Sequence, residues 1–216
     1  MRIVSLILSL PKTIYFNLRA LPLIQALKLP VLVHWRTKFR SLQGKVIIVA
    51  PLRAGMVRIG FGGSGTASYS PNVLQLNGTC IFNDDISFGG GNQLSISKNA
   101  ILKIGEHSRF MGECHLVATN EIQIGSYCAI SWNTQIMDTD FHKIYASGQI
   151  LNPNKKIMIG DRIWIASHVT VNKGAVIPDG CIVASHSLAN HSFSDKKCLI
   201  AGVPGKSIRT DTDWEI

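Results

Sequence analysis

A histidine beside acidic residues is the first place to look for chemistry in this chain, and the segment Met137-Asp138-Thr139-Asp140-Phe141-His142-Lys143-Ile144-Tyr145 supplies one. Neutral imidazole near pH 7 can take a proton from a substrate hydroxyl, typically worth about 10²–10⁴-fold in rate, and a nearby carboxylate can orient the ring and stabilise its charged form. His142 is therefore a candidate general base, with Asp140 or Asp138 as its partner. A lone surface His beside an Asp is also common, so the segment needs a context that turns it toward a substrate.

That context is a repeat. Ile124, Ile130 and Ile136 precede the segment at steps of six, and Ile159, Ile165, Val171, Ile177 and Val183 follow it at the same step. A small or turn-forming residue often comes next, as in Gly125, Ser131, Gly160, Ala166, Asn172, Pro178 and Ala184. A short strand and a turn per hexad let three hexads close one triangular coil of about 18 residues, and stacked coils share parallel sheets spaced by roughly 4.8 Å. The aliphatic positions form an interior ladder, each burying on the order of 1.5–3 kcal/mol. A β-sandwich, with turns every 8–12 residues, would not keep a strict six. The expected fold is thus all-β, a parallel β-helix, and the His142 segment lies in a loop at 137–158 thrown out of the solenoid, where irregular surface can carry chemistry. The beat weakens upstream, at Ile96, Leu102, Ile104, Phe110 and Leu116, and glycine runs at Gly60 to Gly65 and Gly89 to Gly91 mark turns. The expected organisation is an N-terminal helical or irregular extension at 1–45, the β-helix at 46–200, and a C-terminal tail at 201–216.

Three features in order resemble the hexapeptide-repeat acyltransferases: the MDTDFH loop, Ile159-Gly160-Asp161-Arg162-Ile163-Trp164-Ile165-Ala166, and the tail Ala201-Gly202-Val203-Pro204-Gly205-Lys206-Ser207-Ile208-Arg209. The segments starting at Leu10 and Lys28 are similar to the N-termini of acyltransferases from surface-polysaccharide clusters. The resemblance implies a left-handed β-helix and a homotrimer with acyl-CoA sites between subunits. It also implies transfer of an acetyl group from acetyl-CoA to a sugar hydroxyl without a covalent enzyme intermediate. It makes His142 the base, and of the two carboxylates beside it Asp140 is the one expected to act with it. It implies that the amide of Ala166 or Ser167, following Trp164, donates to the thioester oxygen, that Ala184 and Ser185 line the pantetheine arm, and that Lys206 and Arg209 meet the CoA phosphates. The chain departs from the family pattern at Ala166, where Gly is usual, at His168 and His186, at Asn190-His191, and at Met111 to His115, where no acceptor-positioning asparagine stands.

Two other readings compete. A zinc enzyme of the γ-carbonic anhydrase type shares the expected fold; His168, His186 and His191 have suggestive spacing, but the upstream ligand position of that family is missing, and His is tolerated at tight turns with positive φ. No metal is expected. A non-catalytic β-helix scaffold would assemble without binding acyl-CoA. Trp132 and Trp164 can stack on a ligand or cover a corner, and His34, His107 and His115 have no motif around them.

The 216 residues carry a net charge of +9, distributed unevenly: no Asp or Glu precedes Asp84, whereas Arg2, Lys12, Arg19, Lys28, Arg36, Lys38, Arg40, Lys45, Arg53 and Arg58 do. Clustered cations create a positive potential suited to anionic lipid, and without interleaved aromatics or a helix-turn-helix or RNA-binding signature they do not indicate nucleic acid. The apolar runs Ile3 to Leu10 and Ala20 to Val33 are too short or too interrupted to span a bilayer, so residues 1–40 are expected to lie on an anionic membrane or pack on a neighbouring subunit. Five cysteines without a CxxC pair indicate neither a disulfide framework nor a thiolate zinc site, which fits the cytoplasm.

Overall fold

The computed structural model describes residues 3–62 and 70–215, so Arg2 of the basic set and residues 63–65 of the first glycine run lie outside the described residues. The chain opens with α1 (Ile3–Ala20) and the short α2 (Leu23–Ala26), then winds into a solenoid of stacked coils. Coil one is β1 (Val31–Val33), β2 (Lys38–Leu42) and β3 (Lys45–Ile48); coil two is β4 (Val57–Ile59), β5 (Val73–Leu76) and β6 (Thr79–Phe82). Coil three is β7 (Ile86–Phe88), β8 (Gln93–Ile96) and β9 (Ile101–Ile104); coil four is β10 (Arg109–Phe110), β11 (His115–Ala118) and β12 (Glu121–Ile124). Coil five is β13 (Ala129–Ile130) and β14 (Gln135–Met137), then an excursion carrying the hairpin β15 (Tyr145–Ala146) and β16 (Gln149–Ile150), then β17 (Ile157–Ile159). Coil six is β18 (Trp164–Ile165), β19 (Thr170–Asn172) and β20 (Val176–Ile177). Coil seven is β21 (Ile182–Val183) and β22 (Leu188–Ala189), and β23 (Leu199–Ala201) begins the last turn before β24 (Lys206–Arg209) folds back antiparallel on it.

The solenoid strands form three parallel faces. The first runs β1-β4-β7-β10-β13-β18-β21-β23, the second β2-β5-β8-β11-β14-β19-β22, and the third β3-β6-β9-β12-β17-β20. Register is set by interior columns: on the first face Val33, Ile59, Phe88, Phe110, Ile130, Ile165, Val183 and Ile200 stand in line, all buried, with the Phe88 and Phe110 rings stacked at 4.5 Å. Slipping a strand by one residue would turn its apolar set to water, so the buried column fixes the pairing.

The step between coils changes along the stack. Ile165 pairs with Val183, 18 positions on, but Phe88 pairs with Phe110, 22 positions on, and Val46 with Cys80, 34 positions on. Extra residues at the early corners mask the six-residue beat while leaving each strand's alternation of buried and half-exposed residues intact. For this reason the solenoid begins at Val31 and the expected boundary at 45/46 falls inside coil one. Where the hexads are strict, the aliphatic-Gly pair has a steric cause: a Cβ on Gly125 would stand 2.5 Å from the Gly160 carbonyl oxygen of the next coil.

Candidate functional site

The three corners between faces are where backbone leaves the ladders, and the expected site residues fall on different ones. The first corner joins the first face to the second and holds Ala166 and Ser167 in coil six, with Ala184 and Ser185 directly above them in coil seven. The Ala166 amide donates to the Val183 carbonyl at 2.9 Å and the Ala184 amide to Ile200 at 2.8 Å, so both are consumed by the sheet. Nothing among the described residues accepts a hydrogen bond from the Ser167 or Ser185 amide. Of the two amides expected to face a thioester, Ser167 is therefore the one available, because a donor already committed to a carbonyl cannot serve a developing oxyanion.

Trp164 lies on the first face, partly exposed, donating its indole N–H to Ser131 Oγ at 3.3 Å. Its ring stands 6.3 Å from that of Trp214, whose own indole donates to the Arg162 carbonyl at 2.8 Å. Tyr127, Arg162, Trp214 and Glu215 line a cavity of about 260 Å³ beside it. Lys206 and Arg209 are exposed on β24, the terminal hairpin strand. Arg209 pairs with Leu199, Leu199 with Ile182 and Ile182 with Trp164, which sets Arg209 about 14 Å from Trp164 at one strand spacing per step.

His142 sits at the second corner, between the second and third faces, on the excursion from coil five. Its ring is exposed and no described residue hydrogen-bonds it. Asp138, named as a possible partner, is instead fully buried at the loop's root, accepting the amides of Thr119 at 2.7 Å and Asn120 at 2.8 Å and the Thr119 hydroxyl at 3.0 Å. Asp140 does not hydrogen-bond the ring either. Its Oδ2 takes Lys173 Nζ at 2.6 Å and Asn152 Nδ2 at 2.8 Å, and these hydrogen bonds, Lys173 first, hold its carboxyl below the usual range.

Asn152 completes the arrangement. Its amide also donates to the His142 carbonyl at 2.9 Å, its side-chain oxygen accepts the Ile144 amide at 2.6 Å, and Lys173 reaches its main-chain carbonyl at 2.8 Å. Lys173 stands on coil six, so this network ties both arms of the excursion to the solenoid and sets the main chain at His142. Neither Asn152 nor Lys173 lies in a motif that spacing could flag; the hint available was an amide and a cation placed to close the excursion between Met137 and Ile157.

His142 and Ser167 are not brought together within the chain. Ser167 to Lys173 crosses the whole second face, six residues of nearly extended backbone or roughly 20 Å. The three histidines of the zinc reading also separate: the His168 and His186 rings stack at 4.8 Å at positive-φ corner positions, while His191 packs on Phe193. No group of three metal-ligating side chains occurs among the described residues. A cavity of about 630 Å³ lies at the third corner, lined by Arg162, Asp179, Lys196, Lys197, Asp211 and Asp213, and none of the expected site residues is among its lining.

No family model matches the chain. An uncharacterized 24.8 kDa protein from the cps region of Klebsiella pneumoniae is 33% identical over 151 residues, 67% of this chain and 68% of that protein. A protein named as a candidate lipopolysaccharide biosynthesis O-acetyl transferase in Escherichia coli K12 is 24% identical over 149 residues, 64% of this chain and 76% of that one. The crystal structure of a polySia specific acetyltransferase matches with a TM-score of 0.66 at 19% identity, over 83% of this chain and 72% of that chain, and shows the left-handed parallel β-helix as the shared fold.

Proposed function

The chain belongs to the hexapeptide-repeat acyltransferases, and on that premise we propose that it moves an acetyl group from acetyl-CoA to a hydroxyl of a sugar or polysaccharide intermediate, with His142 as general base. His142 takes the hydroxyl proton as the oxygen attacks the thioester carbonyl. The Ser167 amide donates to the oxyanion, and collapse expels the CoA thiolate, which recovers the proton. Ser185 continues the row of uncommitted amides up the first corner along the pantetheine arm, Trp164, Ala166 and Ala184 wall that path, and Lys206 and Arg209 on the terminal hairpin meet the phosphates. Asp140 acts as a positioning residue, through Lys173 and Asn152, rather than as the imidazole's direct partner.

One observation carries this reading: the exposed base and the uncommitted amide occupy different corners of the same chain. A threefold assembly that sets one copy's second corner against the next copy's first corner brings them together, which supports a homotrimer with sites between subunits. The exposed apolar residues of the excursion, Phe141, Ile144, Tyr145 and Leu151, suit such a contact. Five free, buried cysteines agree with a cytoplasmic reaction. No described helix is long and apolar enough to cross a membrane, and we assign residues 1–40 to peripheral contact with an anionic membrane.

Acetyl-CoA turnover tests the proposal, followed as thiol release with a panel of sugars and glycan intermediates for wild type and His142→Ala. Acceptor-dependent release that falls at least about a hundredfold in a folded, assembled variant is expected. Activity surviving in the variant would remove His142 from the mechanism.

A further inference from the structure

The solenoid's first strand has a free edge, and α1 covers it in an unusual manner. Asn17 and β1 exchange two hydrogen bonds, Nδ2 to the Val31 carbonyl at 2.7 Å and the Val31 amide to Oδ1 at 3.2 Å. Thr13 Oγ1 accepts the Val33 amide at 3.0 Å and Ser9 Oγ accepts the Trp35 amide at 3.0 Å. A polar stripe at steps of four thus stands in for the missing neighbouring strand. Ladder hydrogen bonds run along the solenoid axis, so this stripe faces up the axis and the opposite side of α1 faces away from the protein, beyond its end.

That opposite side is apolar. At 3.6 residues per turn it presents Val4, Ile7, Leu8, Ile14, Tyr15 and Leu18, all exposed, and α2 adds Leu23 and Ile24, the latter 80% exposed, followed by exposed Leu27 at the helix end. The same N-terminal segment carries exposed cations at Arg19, Lys28, Arg36 and Lys38, with no acidic residue before Asp84. A second copy laid on this surface would set cations against cations, whereas an anionic bilayer offers both an apolar layer and opposite charge.

We infer that α1 and α2 form a foot that seats in the interface of an anionic bilayer and stands the solenoid upright on it, with coil one nearest the lipid and the His142 excursion held above. This deepens the peripheral contact assigned above and depends on the acyl-transfer reading only for the meaning of the site's height. Coil five lies four strand spacings beyond coil one, and a helix packed on a strand edge adds about 10 Å, so His142 stands roughly 30 Å above the α1 axis.

Flotation of the full chain with phosphatidylglycerol/phosphatidylcholine vesicles and with phosphatidylcholine alone tests the foot. Binding is expected to require the anionic lipid, to weaken with salt, and to fall at least tenfold when Ile7, Leu8, Ile14 and Leu18 are all changed to Gln, which keeps the helix while removing the apolar face. An Arg19→Gln, Lys28→Gln variant should lose the anionic preference. A fluorophore on Ser147→Cys, at the turn of the excursion hairpin, reports height by energy transfer to headgroup-labelled lipid, since the native cysteines are buried. A label at headgroup level would overturn the upright stance, and wild-type binding by the Gln variant would overturn the foot. Thiol release in solution without vesicles is measured in parallel: loss there condemns the acyl-transfer reading and leaves the membrane result standing by itself.

Discussion

Placing the base and the amide on different corners makes a quantitative prediction about mixed assemblies. His142→Ala chains lack the base, and Ser167→Pro chains lack the amide hydrogen, because proline has no N–H. Each homotrimer should be nearly silent, at or below about 1% of wild type, since a general base is typically worth about 10²–10⁴-fold and one oxyanion donor about 10²–10³-fold. Co-expression under two different tags and sequential purification on both yields only trimers with two chains of one kind and one of the other. In a closed ring where every site takes its base from one chain and its amide from the next, each such trimer contains one intact site of its three, whichever chain is doubled. Thiol release per trimer should therefore return to about one third of wild type with an unchanged KM for acetyl-CoA. If each chain furnished both groups itself, no mixed trimer would hold an intact site. Activity at the homotrimer background, from mixed trimers whose melting matches wild type, would refute the reasoning.

Two further outcomes concern stability. Replacing Asp138 by Ala strands two backbone amides and a hydroxyl that now donate to a fully buried carboxylate, a loss of about 3 kcal/mol, which should lower the melting temperature by roughly 6–12 °C in a chain this size; a drop of less than a few degrees would show that the loop root is not held there. Asp85 bridges Arg58 at 2.6 Å and Arg109 at 2.5 Å and meets His107 at 3.0 Å; burial works to raise its carboxyl, but hydrogen bonds from Arg109, then Arg58 and His107, hold it far below the ordinary range. Its folded-state pKa is depressed, so its contribution is complete above the unfolded value near 4 and disappears as pH falls from there toward the folded one. The stability gap between wild type and Asp85→Asn, measured by denaturant titration, should hold from pH 7 to 5 and narrow below about pH 4, and a gap that widened on acidification would contradict the assignment.

How much of this was legible in the sequence depended on the number of residues at each corner. From Ile159 to Val183 the corners are minimal, the coil repeats every 18 residues, and the hexads announce themselves. Upstream, the same three faces are built from strands whose interior residues, such as Leu74, Leu94 and Leu116, share one buried column, yet the steps between them are 20 and 22 residues. Alternation within a four-residue strand is too short a signal to stand out without a fixed period, so from spacing alone coil one reads as part of the N-terminal extension. The edge cover was illegible for another reason: Ser9, Thr13 and Asn17 are polar residues spaced as a helix face, and spacing alone assigns a polar face to water. In the fold that face is the buried one, because the strand edge beneath it needs hydrogen bonds more than it needs apolar contact.

The site shows the same division between what spacing encodes and what only three dimensions supply. Interruption of the beat pointed to the loop, and the proposed base, His142, is exposed there. Nothing in the order of residues distinguished Asp138 from Asp140, although one anchors a turn and the other holds a lysine from the next coil. Nor did it distinguish the Ala166 amide from that of Ser167; the choice follows from which N–H still belongs to the parallel ladder as the chain turns the corner. A three-sided solenoid exposes such uncommitted amides only at its corners, and an excursion leaving one corner cannot reach across a face of roughly 20 Å to serve another. In the proposed mechanism a site composed of both would therefore have to draw on neighbouring copies, because the regular stacking that makes each chain stable keeps its own two groups a face apart.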